Sequence, residues 1–155
     1  MSGSANRAEA PPFVGNSALA VAFRLPVRIY YEDTDAGGIV YYANYLRFME
    51  RARTEWLRHL GCEIDQLAER ERIMFAVRSV NIDYFCPARL NDYLDVTVQL
   101  KQFGGASLRL WQEVLRDSQR LCAGTVRLAC VDTAALTPRR LPDSLIAELS
   151  AWNKS

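Results

Sequence analysis

Between residues 44 and 60 the apolar positions recur at three- and four-residue steps. Tyr45, Phe48, Met49, Ala52, Trp56 and Leu60 form one broad stripe, the mark of a helix buried on one side. Asn44 reads as its N-cap and Gly61 as its C-terminal stop, with Arg51 and Glu55 spaced i, i+4 on the outer face. Elsewhere the period is two. VRIYY (27–31) alternates and is rich in β-formers, and VRSVNIDYF (77–85) reads as a strand ended by Cys86–Pro87. YLDVTVQLK (93–101) is the cleanest strand, with Leu94, Val96, Val98 and Leu100 on one face. SLRLWQEVLRD (107–117) follows a Gly104–Gly105 turn, and LCAGTVRLACVD (121–132) follows a turn over 117–120. A short helix is predicted near Asp143 to Leu149, after Pro142.

Short turns at regular spacing predict an antiparallel meander. The order is strand, long helix, then four strands, which fits an α+β layer arrangement with a sheet wrapping one helix. Pairing order is not encoded in the periodicity. A chain of 155 residues holds one such domain, placed over 23–150. Residues 1–22, rich in Ala, Ser, Pro and Gly, read as a flexible extension, and 151–155 as a C-terminal tail. The stretch PPFVGNSALAVAF is interrupted by Gly15, Asn16 and Ser17 and preceded by mixed charges, Arg7 and Glu9, unlike a signal h-region. No run reaches the roughly 18 apolar residues of a membrane span.

Composition adds constraints. Half the chain is apolar, 24% is charged and the net charge is +1, so bulk electrostatics give no attraction to nucleic acid or an anionic membrane. The four cysteines, Cys62, Cys86, Cys122 and Cys130, form no C-x-x-C pair, and there is one histidine. These features argue against zinc. They are read as reduced thiols of a cytoplasmic protein, small core residues rather than nucleophiles. No metal and no cofactor is expected.

The chemistry concentrates in YEDTDAGGIVYYANYLRF (31–48), where Glu32, Asp33 and Asp35 precede Gly37 and Gly38. On the residues alone Asp35 has several readings: an Asx-type turn carboxylate, part of a Ca²⁺ or Mg²⁺ set that lacks a later ligand, or a catalytic group. Glu32 and Asp33 read as groups that orient the loop or pair with arginines. The helix start behind them presents free backbone N–H groups with positive potential.

The segment Y-E-D-T-D-A-G-G-I-V-Y-Y-A-N-Y, the helix F-M-E-R-A-R-T-E-W-L, DYFCPARLNDYLDV and TPRRLP together resemble the 4-hydroxybenzoyl-CoA thioesterase-like hotdog family. Within it, the likeness is greatest to the Tol–Pal-associated acyl-CoA thioesterases, and it runs from about Leu25 to Leu149. The resemblance implies a hotdog fold: a curved antiparallel sheet of about five strands around one long central helix. It also implies a homo-oligomer, either a dimer that joins the two sheets or a dimer of dimers (a homotetramer), with active sites at the dimer interface. The implied reaction is hydrolysis of an acyl-CoA thioester, with CoA thioester as substrate and acyl carrier protein as an alternative thiol carrier. No nucleic-acid partner and no membrane insertion are implied.

By the same resemblance Asp35 is the catalytic carboxylate, as nucleophile or as general base. The Tyr42 backbone amide is the leading oxyanion donor, with Gly38 close to it. Tyr41, Tyr45 and Gly38 are expected to bind substrate. Many close relatives carry a histidine at the position of Tyr42, whereas the aromatic-acyl thioesterases carry tyrosine, so no imidazole mechanism is expected. His59 lies about 24 positions beyond Asp35 and is expected at the surface, far from the site. Arg78, Arg89, Arg139 and Arg140 are the cations available to CoA phosphates. Two rival functions share the fold: a non-catalytic acyl-CoA binder or envelope-complex adaptor, and a hotdog dehydratase, which needs a site histidine.

Overall fold

A computed structural model describes residues 13–16 and 21–154. The elements run β1 (Phe13–Asn16), β2 (Val21–Arg28), a 3-10 turn (Tyr31–Asp33), α1 (Asn44–His59), α2 (Ile64–Arg70), β3 (Ile73–Tyr84), β4 (Tyr93–Gly104), β5 (Ser107–Arg116), β6 (Gln119–Asp132) and α3 (Asp143–Lys154). One six-stranded sheet is ordered β1-β2-β4-β5-β6-β3, and every neighbouring pair is antiparallel. The α+β class and the strand–helix–four-strand order hold, with β1 as a sixth strand. Within the expected 1–22 extension, Phe13–Asn16 pairs with β2, and β2 itself starts at Val21. The rest of that extension lies outside the described residues.

Helix α1 lays its stripe on the sheet: Tyr45, Phe48, Met49, Ala52 and Trp56 are all buried, against Leu94, Val96, Val98, Leu110, Val114 and Val126. Each such side chain contributes about 1.5–3 kcal/mol by leaving water. The helix start differs from expectation. Ala43 occupies the N-cap, and Asn44 is the first helical residue. Its amide is turned outward as a donor, Nδ2 to the Asp33 carbonyl at 2.9 Å, so it does not accept an N–H of its own helix. The other end matches. Gly61 has φ +83°, its N–H donates to Arg58 O at 2.9 Å, and the Cys62 N–H donates to Leu57 O at 2.8 Å. These two bonds make a Schellman end, with Leu57 and Cys62 both in the core.

Other departures have local causes. The strand expected over 27–31 extends upstream instead, and Tyr31 enters the 3-10 turn. Helix α2 was not signalled, because none of its seven residues is buried and no strong periodicity marks it. The last helix runs to Lys154, taking in most of the expected 151–155 tail, because Trp152 continues the buried Leu145 and Leu149 stripe. On β4 the second face is buried as well. Asp95 is covered by Arg24, and Thr97 Oγ1 accepts the Glu113 N–H at 2.9 Å.

A polar knot lies inside the apolar layer. Arg53 Nη1 donates to Gln112 Oε1 at 2.9 Å, and Gln112 Nε2 donates to Met49 O and Thr97 O at 3.1 and 3.2 Å. Gln112 thereby clamps α1 to β4 at Thr97, a few residues before the β4–β5 register shift between Leu100 and Gln102. At the β3–β6 contact, Gly124 faces Ile82. A Cβ there would press into the Asn81 carbonyl and lie 2.6 Å from Ile82 Cγ1.

Candidate active site

The segment between β2 and α1 is fixed by short-range bonds. Ile29, fully buried, exchanges hydrogen bonds with the 91–92 backbone: its N–H donates to Asp92 O and its carbonyl accepts the Asn91 N–H. Asp33 Oδ2 accepts the Tyr30 N–H at 2.8 Å, closing the 3-10 turn. The Asp33 carbonyl accepts both the Tyr41 N–H at 3.1 Å and Asn44 Nδ2 at 2.9 Å. Asp33 therefore orients the loop, as one of its two expected readings had it.

Asp35 heads a miniature hairpin. Its N–H donates to Ile39 O at 2.8 Å, its carbonyl accepts the Gly38 N–H at 3.0 Å, and Thr34 bridges to Val40. A three-residue loop of this kind closes on a left-handed residue, and Gly38 has φ +79°, a conformation glycine adopts without steric cost. Gly37 serves differently. Its N–H donates to Asp35 Oδ1 at 2.8 Å, and a Cβ at Gly37 would meet that same oxygen at 3.2 Å. Asp35 is exposed, and its Oδ2 accepts from no donor among the described residues. The Gly38 N–H is taken up inside the turn, which leaves Tyr42 as the leading donor candidate. Gly38 instead helps line, with Tyr31, Thr34, Asp35, Ala36 and Leu90, a hollow of about 370 Å³.

A second, apolar groove of about 280 Å³ lies beside it, lined by Ile39, Val40, Tyr42, Tyr45, Tyr84, Phe85, Cys86 and Pro87. The Ile39↔Arg89 bridge belongs to the strip between the two hollows. Tyr45 forms the buried wall, and its hydroxyl accepts the Ala88 N–H at 2.9 Å. Tyr84 stands edge-on to Tyr42 at 6.2 Å and donates its hydroxyl to the Tyr42 carbonyl at 3.3 Å. Burial pushes the Tyr45 and Tyr84 phenols above their ordinary pKa, so both are neutral hydroxyls. Tyr41 packs on the outside of the Tyr42 ring, 5.0 Å between centroids, and is not among the groove's lining residues. The N–H groups of Tyr42 and Ala43, just before α1, donate to no acceptor among the described residues. The structure thus brings Tyr42 and Tyr45 into one groove and sets Asp35 and Gly38 in the adjoining hollow.

Residues that the sequence reading did not assign to the site complete the walls: Tyr84, Phe85, Cys86 and Pro87. The exposed aromatic pair before a Cys–Pro strand end is the signal that marks them. Cys86, expected in the core, is half-buried in the groove, where Gln119 Nε2 donates to its sulfur at 3.2 Å. The other three cysteines are buried free thiols. Burial holds Cys122 up to about 12 and Cys62 up to about 11, so these two are inert at neutral pH. His59 is exposed at the far end of α1, against Phe23 and Trp152. Of the arginines considered for phosphates, Arg139 pairs with Asp132 and Arg140 with Asp143.

Comparison with known proteins adds a family. A family model described as the thioesterase-like superfamily matches residues 29–149. The chain is 45% identical over 127 residues to an acyl-CoA thioester hydrolase, YbgC, of Escherichia coli O157:H7, covering 81% of this chain and 94% of that protein. It is 43% identical over 125 residues to the acyl-CoA thioesterase YbgC of Haemophilus influenzae, covering 81% and 92%. Among solved structures, a probable thioesterase from Bartonella henselae superposes with a TM-score of 0.73 at 34% identity, covering 77% of this chain and 98% of that one. A 1,4-dihydroxy-2-naphthoyl-CoA thioesterase from Synechocystis shares the fold, with a TM-score of 0.77 at 21% identity over 83% and 96%.

Proposed function

The chain belongs to the thioesterase-like superfamily, and on that premise we propose that it hydrolyses an acyl-CoA thioester to a free carboxylic acid and CoA. The observation that carries this reading is the juxtaposition at the start of α1. An apolar, aromatic groove sized for an acyl group runs up to Tyr42, whose N–H has no described acceptor, and the Asp35 carboxylate stands in the next hollow with Oδ2 open.

In this reading the acyl group enters between Tyr45, Tyr84 and Phe85, and the thioester carbonyl points at the Tyr42 N–H. A backbone donor there stabilises the oxyanion as it forms, an effect of about 3–4 kcal/mol in acyl transfer. Asp35 supplies the other half by one of two routes. As a general base it takes a proton from water, which adds to the carbonyl, and the tetrahedral intermediate expels the thiolate of CoA. As a nucleophile it adds directly, giving a mixed anhydride and free thiolate, and water then cleaves the anhydride. Neither route uses imidazole.

The oligomer is part of the proposal. Among the described residues strand β3 ends the sheet with one side unpaired, and Val77, Val80 and Tyr84 on it and Phe85 just past its end are 41–55% exposed. Pairing of β3 with a second copy would cover these side chains and wall the groove from the other side.

The test is free-thiol release from short-chain, long-chain and aromatic acyl-CoAs and from an acyl carrier protein thioester, with wild type and Asp35→Asn. Turnover abolished by the substitution supports the enzyme, and the best substrate defines the acyl class. A second reading draws on the 2.8 Å bond from Gly37 to Asp35 Oδ1, which suits a carboxylate that merely closes a loop in an acyl-CoA binder. It predicts CoA binding with no turnover on any substrate.

A further inference from the structure

The outer face of the sheet, away from α1, carries a second constellation. Arg109 on β5 stands directly opposite Arg127 on β6, flanked by Gln102 on β4 and Ser79 on β3. Arg78 is the extra residue of the β3 bulge, between the pairs Val77↔Leu128 and Ser79↔Arg127, and brings a third guanidinium to the same line. Two adjoining hollows of about 540 and 460 Å³ run over this line and share Ser79, Ser107 and Arg127. Neither is lined by an acidic residue. All three arginines are exposed, and among the described residues none is ion-paired with a carboxylate. Their neighbours are: Arg116 with Asp92, Arg120 with Glu113, Arg139 with Asp132.

Like charges directly opposite on a sheet destabilise it, and this chain supplies acids for Arg24, Arg116, Arg120 and Arg139 on or beside the other strands. An uncompensated ladder ringed by hydroxyl and amide groups matches a phosphoryl anion, whose oxygens take guanidinium and neutral donors together. In the next row Trp111 pairs with Thr125, and Thr125 with Asn81. Trp111 thus offers a half-buried ring beside the charges, suited to a base. A second copy on this face would set one arginine ladder against another, so a small anion fits better.

We propose that this outer-face ladder, centred on Arg109 and Arg127, binds a pyrophosphate-bearing ligand. The ligand is either a free nucleotide or the nucleotide end of an acyl-CoA. Ser79 lies five residues along β3 from Tyr84 of the acyl groove, roughly 17 Å of strand, on the other face of the sheet. The site itself does not depend on the thioesterase reading; only the choice between the two sources does.

The test is calorimetric titration of the full chain with inorganic pyrophosphate, ADP and free CoA at low salt. Wild type is compared with Arg109→Gln, Arg127→Gln and Asp35→Asn, and melting temperatures check folding. Pyrophosphate and ADP bind wild type and Asp35→Asn alike, and bind each arginine variant at least roughly tenfold more weakly. If the ligand is the nucleotide end of the substrate, Arg109→Gln also raises KM at unchanged kcat and ADP competes with acyl-CoA. If it is a free nucleotide, KM is unchanged and ADP does not compete. The proposal is overturned if folded wild type binds none of the three anions at millimolar concentration, or if the arginine variants bind them equally. A change of oligomeric state in the variants without anion binding overturns it in favour of a subunit interface.

Discussion

The Tyr45 hydroxyl accepts the Ala88 N–H at 2.9 Å, and the Ala88 carbonyl accepts the Val40 N–H at the same distance. One buried tyrosine on α1 therefore holds the 85–92 loop, and that loop holds the strand that leaves the Asp35 turn. The wall of the proposed acyl groove and the Asp35 turn share a support.

Tyr45→Phe keeps the ring and removes the acceptor, leaving a buried N–H without a partner at a cost of about 1–3 kcal/mol. Urea denaturation should show this as a lower midpoint with an unchanged slope. An unaltered midpoint would mean the loop is held without Tyr45.

Asp35→Asn conserves an oxygen that can accept the Gly37 N–H, so the turn and the melting temperature should survive. Thiol release should fall by roughly 10²–10⁴-fold. A single turnover in ¹⁸O-water then separates the routes. Label in the Asp35 carboxylate marks the nucleophile, because it enters there only through an anhydride opened at the aspartyl carbonyl. Label only in the released acid fits the base or an anhydride opened at its acyl carbonyl, and hydroxylamine trapping of the anhydride tells those two apart.

Tyr42→Phe removes a hydroxyl but leaves the backbone donor untouched. Turnover within about threefold of wild type, less than about 1 kcal/mol of barrier, is the expected result. A loss as deep as that of Asp35→Asn would transfer the role to the phenol.

Gly124→Ala forces a methyl group into the Asn81 carbonyl and Ile82 side chain on β3. Separating these strands should cost roughly 3 kcal/mol or more, at or above the usual range for overpacking. Calorimetry on the variant should show a lowered melting temperature, and wild-type stability would refute the close approach.

The N–H groups of Ala135 and Ala134, and then Arg139, hold the Asp132 carboxyl below its ordinary range. A depressed carboxylate stabilises the fold at pH above its unfolded value, and that contribution is lost as pH falls through the folded one. Asp132→Asn should therefore melt below wild type near neutrality, and the gap should close below about pH 4. A gap independent of pH would assign the effect to lost packing.

The long helix and β5 were legible because each buries one face, and burial writes a period into the sequence. Strand β4, buried on both faces over much of its length, was legible because its apolar residues alternate with Asp95 and Thr97. Leu94, Val96, Val98 and Leu100 are all buried as the alternation required. Helix α2 buries nothing fully and left no trace. The N-cap misreading at Asn44 arose because an amide both donates and accepts, and only the fold decides that it donates to Asp33. For the site, the acids and glycines near Asp35 were conspicuous in the sequence, whereas the groove wall at Tyr84–Pro87 was not. These residues meet Tyr42 across 42 or more positions of chain, by a strand pairing that periodicity does not encode.

The two rims of the sheet are unequal: β1 offers four residues and β3 offers twelve. An antiparallel union of β3 with its own copy, as proposed above, would be self-complementary and would consume both long rims in one step. Among the described residues the opposite rim would then be short and stepped, β1 over four residues and the last residues of β2 beyond it, a poor template for a further chain. Such a pairing would cap the sheet at two copies and keep the long rim from seeding a fibre.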